Sequence, residues 1–186
     1  MKSINEVILP GYFEDNAAAN NRRDEFDYQN ISIVCNSSKI DICFIGDSIT
    51  HFWELGAYFS KYGALINRGI GGDIVQNVYR RFDADVIQNK PKLVVVKVGV
   101  NNLWIIEELV RTNRFDLLEK TINDVTQMMK NYYTLIVQKC KENNQKLVLC
   151  SILPTISVSE KNQVILELNK FIKELCIKEK VAYADY

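Results

Sequence analysis

The sequence is short of histidine, proline and glycine, and its charges cancel. Its 186 residues include one histidine, three prolines and eight glycines, and 23 basic residues balance 23 acidic ones. This composition excludes collagen-like and low-complexity classes, and the missing basic excess argues against a nucleic-acid partner. No apolar run approaches the ~18 residues of a membrane span, and the first residues lack the charged-then-apolar pattern of an export signal. We therefore expect a cytoplasmic protein without a membrane span.

Metal and cofactor signals are also missing. The five cysteines are an odd number without a C-x-x-C pair, which favours buried, reduced thiols. The single histidine, His51, belongs to no His/Cys cluster, so we expect no metal. The glycine-rich turn at 69–72 lacks the third glycine of a dinucleotide-binding loop, because Ile74 occupies that position. No phosphate-loop motif occurs either, and we expect no cofactor.

A regular alternation of short apolar runs and helical stripes predicts the architecture. At ~150 residues per domain the length predicts one domain over 1–186, with an irregular arm at 1–15 and a helix within 16–36. Apolar runs closed by glycine, proline or polar residues predict five strands, at 40–45, 64–67, 93–98, 146–153 and 181–185. Periodic apolar positions predict further helices at 49–60, 74–88, 115–143 and 157–179. We expect Asp73 to cap the helix at 74–88, and Ser157 with Glu160 to form a capping box before the last helix. This order favours an α/β fold with a doubly wound parallel sheet.

Polar and glycine residues follow the first three predicted strands. Ser48 lies on a strand-to-helix turn, where free backbone N–H groups can stabilise the oxyanion formed by attack of its hydroxyl. The turn at 69–73 offers a further N–H with no side chain to block approach, and Asn101 offers a side-chain amide. Because ligands bind at the carboxyl ends of parallel strands, these groups are expected to meet on one rim. One nucleophile and three convergent donors are typical of an acyl-transfer site.

Three segments, in this order, resemble the motifs of the SGNH hydrolase superfamily, also called GDSL-type esterases and lipases. They read GDSIT at 46–50, NRGIGGD at 67–73 and GVNN at 99–102, and GDSITHFW at 46–53 is most similar to the platelet-activating-factor acetylhydrolase-like branch. The resemblance implies a three-layer flavodoxin-like fold with a five-stranded parallel sheet flanked by helices. It also implies metal-free hydrolysis of small carboxylic esters, such as acetyl esters of sugars or lipids. Ser48 would be the nucleophile, and the N–H groups of Ser48 and Gly72 with the Asn101 side chain would form the oxyanion hole.

Two departures from that pattern matter. Asn102 replaces an aspartate that has no catalytic role in the family. The closing Asp-x-x-His motif is absent, because Asp185 has no histidine three residues on and the sequence stops at the fifth predicted strand. We expect the domain to be C-terminally incomplete and this chain alone to be nearly inactive. We also expect self-association, since Val181 and Tyr183 would lose cover on one face.

Other interpretations stay open beside the esterase hypothesis. A non-catalytic relative would keep the pocket as a binding module, and an FMN-binding flavodoxin-like protein would share the strand order but leave Ser48 and Asn101 without a role. Ser48 could simply cap its helix, and Asp47 is interpreted as a structural residue of the turn. His51 lies one helical turn after Ser48 with no evident carboxylate to orient it, so we expect a pocket wall or surface residue and not the general base. The aromatic residues Trp53, Tyr58 and Trp104 are interpreted as core, with a pocket lining as the alternative.

Overall fold

The computed structural model describes residues 3–11 and 20–186 and contains one parallel sheet. Its strands follow the spatial order β2-β1-β3-β4-β5, and every neighbouring pair is parallel. They are β1 Ile42–Gly46, β2 Leu65–Gly69, β3 Leu93–Lys97, β4 Lys146–Cys150 and β5 Ala182–Ala184. The predicted α/β fold with a five-stranded parallel sheet flanked by helices is confirmed. The chain order reverses between β1 and β3, which is the switch point where such sheets bind ligands.

Eight α-helices are seen in the described residues. They are α1 Arg23–Cys35, α2 Ser48–His51, α3 Leu55–Phe59, α4 Val75–Arg80, α5 Phe82–Asp85, α6 Trp104–Arg111, α7 Phe115–Glu142 and α8 Ser159–Glu179. Short 3-10 turns occur at Ile4–Glu6, Ser60–Tyr62, Ile87–Asn89 and Val100–Leu103. None of these helices is long and apolar enough to cross a membrane.

Several predicted helices needed correction. The helices expected at 49–60 and 74–88 are each broken into shorter pieces, and α6 was not predicted. The arm predicted at 1–15 contains a 3-10 turn. Residues 1–2 and 12–15 of this arm, and residues 16–19 of the helix predicted within 16–36, lie outside the described residues. The Ser157 capping box does not form: Val158 precedes α8 without a side-chain cap, and the Ser157 hydroxyl lies 2.9 Å from that of Thr155.

The main core lies on one face of the sheet. Alternate side chains of the central strands point into it, including Cys43, Ile45, Val94, Val96, Leu147 and Leu149. They pack against apolar stripes of α4 to α8, for example Val78, Phe82, Met129, Ile136, Leu168 and Ile172. The thiols of all five cysteines are free, and four of the five residues are buried, as predicted. This layer packs against the strands whose carboxyl ends precede Ser48, Gly72 and Asn101.

The opposite face is covered much less. Helices α2 and α3 lie over its β1–β2 side, where Trp53 and Phe59 pack edge-on, with ring centroids 5.4 Å apart. Next to these two rings, a cleft of about 320 Å³ is lined by apolar strand residues, including Leu93, Val95 and Val148. We expected Val181 and Tyr183 to be left uncovered on one face. This is wrong for these two residues, because both are partly buried against the main core. Parallel sheets are normally covered on both faces, so self-association stays a prediction, now assigned to this cleft.

Candidate functional site

The end of β1 presents Ser48 through a tightly constrained turn. Gly46 lies so close to the neighbouring strand that a Cβ would stand 1.8 Å from the Lys97 carbonyl oxygen. Asp47 caps α2 by accepting the Ile49 N–H at 3.0 Å. Ser48 is therefore the first residue of the helix and is half-buried. Its own N–H finds no acceptor among the described residues and is available to a ligand.

Asp47 is a buried carboxyl, only 1% exposed. Burial raises its pKa to about 6, while the Ile49 N–H and the Lys97 ammonium act in the opposite direction. Because its carboxylate already caps the helix, the geometry agrees with the structural role expected from the sequence.

The end of β2 is fastened to the serine-bearing helix. The Asn67 side chain donates to the Thr50 carbonyl at 2.7 Å and accepts the Gly69 N–H at 2.8 Å. A Cβ on Gly69 would stand 2.2 Å from the His51 nitrogen, so only glycine allows this approach. Helix α2 and the turn that follows β2 therefore form one connected unit.

That turn brings Gly71 and Gly72 to the serine. A Cβ built on Gly71 would lie 4.0 Å from the Ser48 Cβ, which is ordinary van der Waals contact. Gly72 has a φ of 81°, a conformation that L side chains rarely adopt. No acceptor for the Gly72 N–H is found in the part of the chain that the structure describes. The Gly72 N–H, next in the chain to Gly71, is thus available to a ligand.

The end of β3 supplies two asparagines with different tasks. Asn101 is half-buried and donates from Nδ2 to the Asp73 carbonyl at 2.9 Å. Asn102 is buried, accepts the Val75 N–H at 3.0 Å and donates to Gln76 Oε1 at 2.6 Å. Asn102 therefore caps α4, which needs only a side-chain oxygen, and this explains why an amide serves where the family's motif has an acid.

Asp73 is not the helix cap that the sequence predicted. Its side chain does accept the Ile74 N–H at 3.1 Å, but its other oxygen forms a buried ion pair with Arg81 at 2.8 Å. The same guanidinium donates to the Arg68 carbonyl at 2.8 Å and to the Gly46 carbonyl at 3.1 Å. Arg81 thus joins the carboxyl ends of β1 and β2 to the glycine turn.

A second carboxylate completes the charge balance under the site. Asp85 lies 2.9 Å from Arg81 and 2.6 Å from Arg23. Burial opposes its ionisation, but the two guanidinium groups hold its pKa below the usual range. Sequence reasoning missed this cluster; the i,i+4 spacing of Arg81 and Asp85 was the available signal.

His51 faces the glycine turn and not an acid. Its Nδ1 accepts the Gly71 N–H at 3.2 Å. A nitrogen that accepts carries no proton, so in the neutral ring the proton is on Nε2. That is the opposite of a catalytic imidazole, whose Nδ1–H is held by a carboxylate. The geometry agrees with the expectation that His51 is not the base.

Two of the three aromatic residues expected in the core are on the surface. Tyr58 is 66% exposed and Trp104 is 68% exposed, whereas Trp53 is half-buried against Phe44. Trp104 begins α6, whose buried residues are Ile106 and Leu109 instead. In the described residues, no group of three or more His, Cys, Asp or Glu side chains is placed to hold a metal ion.

Comparison with known proteins agrees with this geometry. The model of the "GDSL-like Lipase/Acylhydrolase family" matches residues 44–186, which is most of the chain. The chain belongs to this family. Its resemblance to SGNH hydrolases, inferred from three short motifs, is thereby confirmed.

Individual relatives match over shorter stretches. An acetylxylan esterase of Geobacillus stearothermophilus is 32% identical over 87 residues, covering 34% of this chain and 40% of that protein. The platelet-activating factor acetylhydrolase IB subunit alpha2 of Homo sapiens is 38% identical over 73 residues, covering 37% of this chain and 31% of that protein. The chain thus matches less than half the length of these curated relatives.

Solved structures give the same fold. A GDSL-like lipase from Bacteroides thetaiotaomicron VPI-5482 superposes with a TM-score of 0.64 at 21% identity, over 88% of this chain and 77% of that one. At this identity the likeness concerns the fold alone.

Proposed function

We propose that this chain carries the acyl-transfer site of a serine esterase, with Ser48 as nucleophile and without a general base among the described residues. The observation that carries the proposal is the meeting of three strand ends. Ser48 begins α2, a Cβ built on Gly71 would lie 4.0 Å from the Ser48 Cβ, and Asn101 donates to the carbonyl of Asp73 in the same turn as Gly71. The family membership supports ester hydrolysis as the reaction.

Three donors would stabilise the oxyanion. The N–H groups of Ser48 and Gly72 have no acceptor among the described residues. The Asn101 amide has two N–H groups, and its bond to Asp73 uses only one of them. Donors held in place before the reaction stabilise the charge that develops in the transition state without further reorganisation.

The chemistry follows from these groups. The Ser48 oxygen attacks the ester carbonyl and loses its proton to a base, and the carbonyl oxygen becomes the anion held by the three donors. Collapse of this intermediate breaks the bond to the alcohol, which leaves with a proton, and water then hydrolyses the acyl-serine. Because a serine hydroxyl is barely ionised at neutral pH, each attack needs a base.

No group in the described residues fits that base. The one histidine accepts a backbone N–H on Nδ1, and its pKa is lowered by burial and by the charge of Arg22. Asp47 is engaged as the helix cap. We therefore expect the chain to hold the oxyanion machinery and to lack the proton acceptor.

Exposed apolar side chains around the rim favour an ester with an apolar group. Phe52 follows Ser48 by one turn and is 75% exposed, Trp104 follows Asn101 and is 68% exposed, and Ile156 after β4 is fully exposed. Exposed apolar side chains that follow the candidate site residues in the sequence suit an acyl chain or aromatic alcohol better than a fully polar ligand.

Fluorophosphonate labelling tests the proposal. The chain is incubated with an alkyl fluorophosphonate with and without imidazole as an external base, and the modified peptide is mapped. We expect a single adduct on Ser48, formed faster with imidazole, and none in Ser48→Ala. A lack of Ser48 adduct under both conditions would favour the alternative of a non-catalytic binding module.

A further inference from the structure

His51 connects the two halves of the candidate site. It is the last residue of α2, which begins with Ser48, and its Nδ1 accepts the N–H of Gly71 in the turn after β2. Its ring stacks on that of Phe52, with centroids 4.4 Å apart and an angle of 6° between the planes. Stacking fixes the plane of the imidazole, so that Nδ1 stays directed at the glycine turn.

Gly71 lies between this ring and the serine. A Cβ built on Gly71 would stand 3.7 Å from His51 Nδ1 and 4.0 Å from Ser48 Cβ. The next residue, Gly72, provides the candidate oxyanion donor. Because Gly71 and Gly72 are consecutive in one turn, a movement of Gly71 away from His51 would also move the Gly72 N–H.

We propose that His51 is a positioning residue that holds the Gly71–Gly72 turn through Nδ1, and that protonation of its ring releases the turn. This inference rests on the proposed function of Ser48 and Gly72. The physical reason is simple: the imidazolium ion donates from both nitrogens and has no lone pair left for the Gly71 N–H. Two donors then face each other, and one of them has to move.

The surroundings keep the ring neutral near pH 7. Burial lowers the pKa of His51, the positive charge of Arg22 acts in the same direction, and Glu25 opposes it. Arg22 is itself held by Glu25 at 2.8 Å and by the Gly69 carbonyl at 3.1 Å. These are the charged groups in the described residues that act on the ring, and both come from the start of α1. Release of the turn is therefore expected only as the pH falls below the usual range for histidine.

The single histidine allows a direct test by NMR. In ¹⁵N-labelled protein we expect the Nε2–H tautomer, and we expect the Gly71 amide to titrate with the same midpoint as the ring. In His51→Asn, the side-chain oxygen replaces Nδ1 as acceptor without titrating, so the Gly71 amide shift should stay constant with pH. An Nδ1–H tautomer, or a Gly71 amide that ignores the titration of the ring, would overturn the proposal.

The rate of Ser48 labelling provides the functional readout. His51→Ala should slow labelling about three- to tenfold, the effect of losing one hydrogen bond, whereas His51→Asn should stay within about twofold of wild type. The labelling rate of the wild type divided by that of His51→Asn should fall with decreasing pH, because only the wild-type side chain is protonated and releases the turn. The ratio is used because the ionisation of the probe, and of any added imidazole, affects both proteins equally. Equal loss in both variants would contradict the proposal. The NMR result is independent of acyl chemistry, so failure of this inference and failure of the proposed function are distinguishable.

Discussion

The side-chain amide of Asn101 donates a hydrogen bond to the backbone carbonyl of Asp73, 2.9 Å away. This contact joins the end of β3 to the glycine turn after β2, across the switch point of the sheet. It also orients the amide so that its second N–H remains for a ligand. We therefore expect Asn101 to contribute mainly to the reaction and its neighbour Asn102 mainly to stability. A pair of substitutions tests this difference.

Asn101→Ala should lower the rate of Ser48 labelling about 10²–10³-fold, the effect of removing one oxyanion donor. Its free energy of unfolding should fall by only about 1 kcal/mol, for one lost hydrogen bond. Asn102→Ala should show the reverse pattern, with a loss of about 1–3 kcal/mol from an uncapped helix and unpaired buried groups and a smaller effect on labelling. Urea unfolding and intact-mass labelling measure the two effects. Loss of folding in Asn101→Ala, or unchanged labelling, would contradict the role given to Asn101.

Arg81 should be essential to the fold. Arg81→Met leaves Asp73 without its buried partner and leaves Asp85 with Arg23 alone, and breaking a buried pair costs about 3–5 kcal/mol. The matched control is Arg111→Met, whose pair with Glu108 is exposed to solvent and should contribute little to stability. Chemical denaturation should show the difference. Similar stability of the two variants would mean that the buried cluster does not hold the strand ends.

Asp47 should make stability depend on pH. Its folded-state pKa, raised to about 6 by burial, lies above the unfolded value, so the folded chain binds the extra proton between these pKa values. Stability from this group is full below about pH 4 and is lost as the pH rises through about 6. Asp47→Asn keeps an oxygen for the cap and removes the charge. The free energy of unfolding of the variant, relative to that of the wild type, should increase by about 2 kcal/mol from pH 4 to pH 7. Urea unfolding measures this difference, and a difference that does not change with pH would contradict this assignment.

The apolar rim should select probes by chain length. Ser48 labelling by fluorophosphonates should become faster as the alkyl chain lengthens, and this dependence should weaken in Trp104→Ser and Phe52→Ser. Ile177→Ser is the control, because Ile177 is 72% exposed on α8, away from the strand ends that carry the site. If all three variants keep the wild-type dependence on chain length, the rim does not contribute to substrate binding.

The open cleft should drive self-association. Val95 points into it from the middle of β3, and Val95→Lys should place a charge on the apolar face and shift the chain towards monomer. Sedimentation velocity over a range of concentrations measures this, with Ile177→Lys as the control. A wild-type chain that remains monomeric at high concentration would contradict the prediction.

The strands and the motif positions could be predicted because their signals are local. All five strands lie within a few residues of the apolar runs that predicted them, since a strand covered by helices needs continuous apolar residues. Glycine turns directly after strands likewise indicated Ser48, Gly72 and Asn101 as candidate site residues. The GDSIT, NRGIGGD and GVNN segments then sufficed to indicate the family.

The incorrect predictions concern residues whose hydrogen-bond or ion-pair partners lie far away in the sequence. Asp73 looked like a helix cap, but its carboxylate pairs with Arg81 eight residues on, and the Val75 N–H is capped by Asn102, 27 residues on. Helices 49–60 and 74–88 break because tertiary contacts at their ends outweigh helix propensity. The hydrogen bond from Gly71 to His51 also depends on a fold contact that no spacing rule reveals.

The central claim is an assembled acyl-transfer site without its own base, and p-nitrophenyl acetate hydrolysis tests it most directly. The rate of the wild-type chain minus that of Ser48→Ala is measured against imidazole concentration. Without imidazole the Ser48-dependent rate should not exceed about 10³–10⁴ times that of water, and it should rise as imidazole is added. A full enzymatic rate without imidazole that disappears in Ser48→Ala would show that a base lies within these residues and would contradict the account.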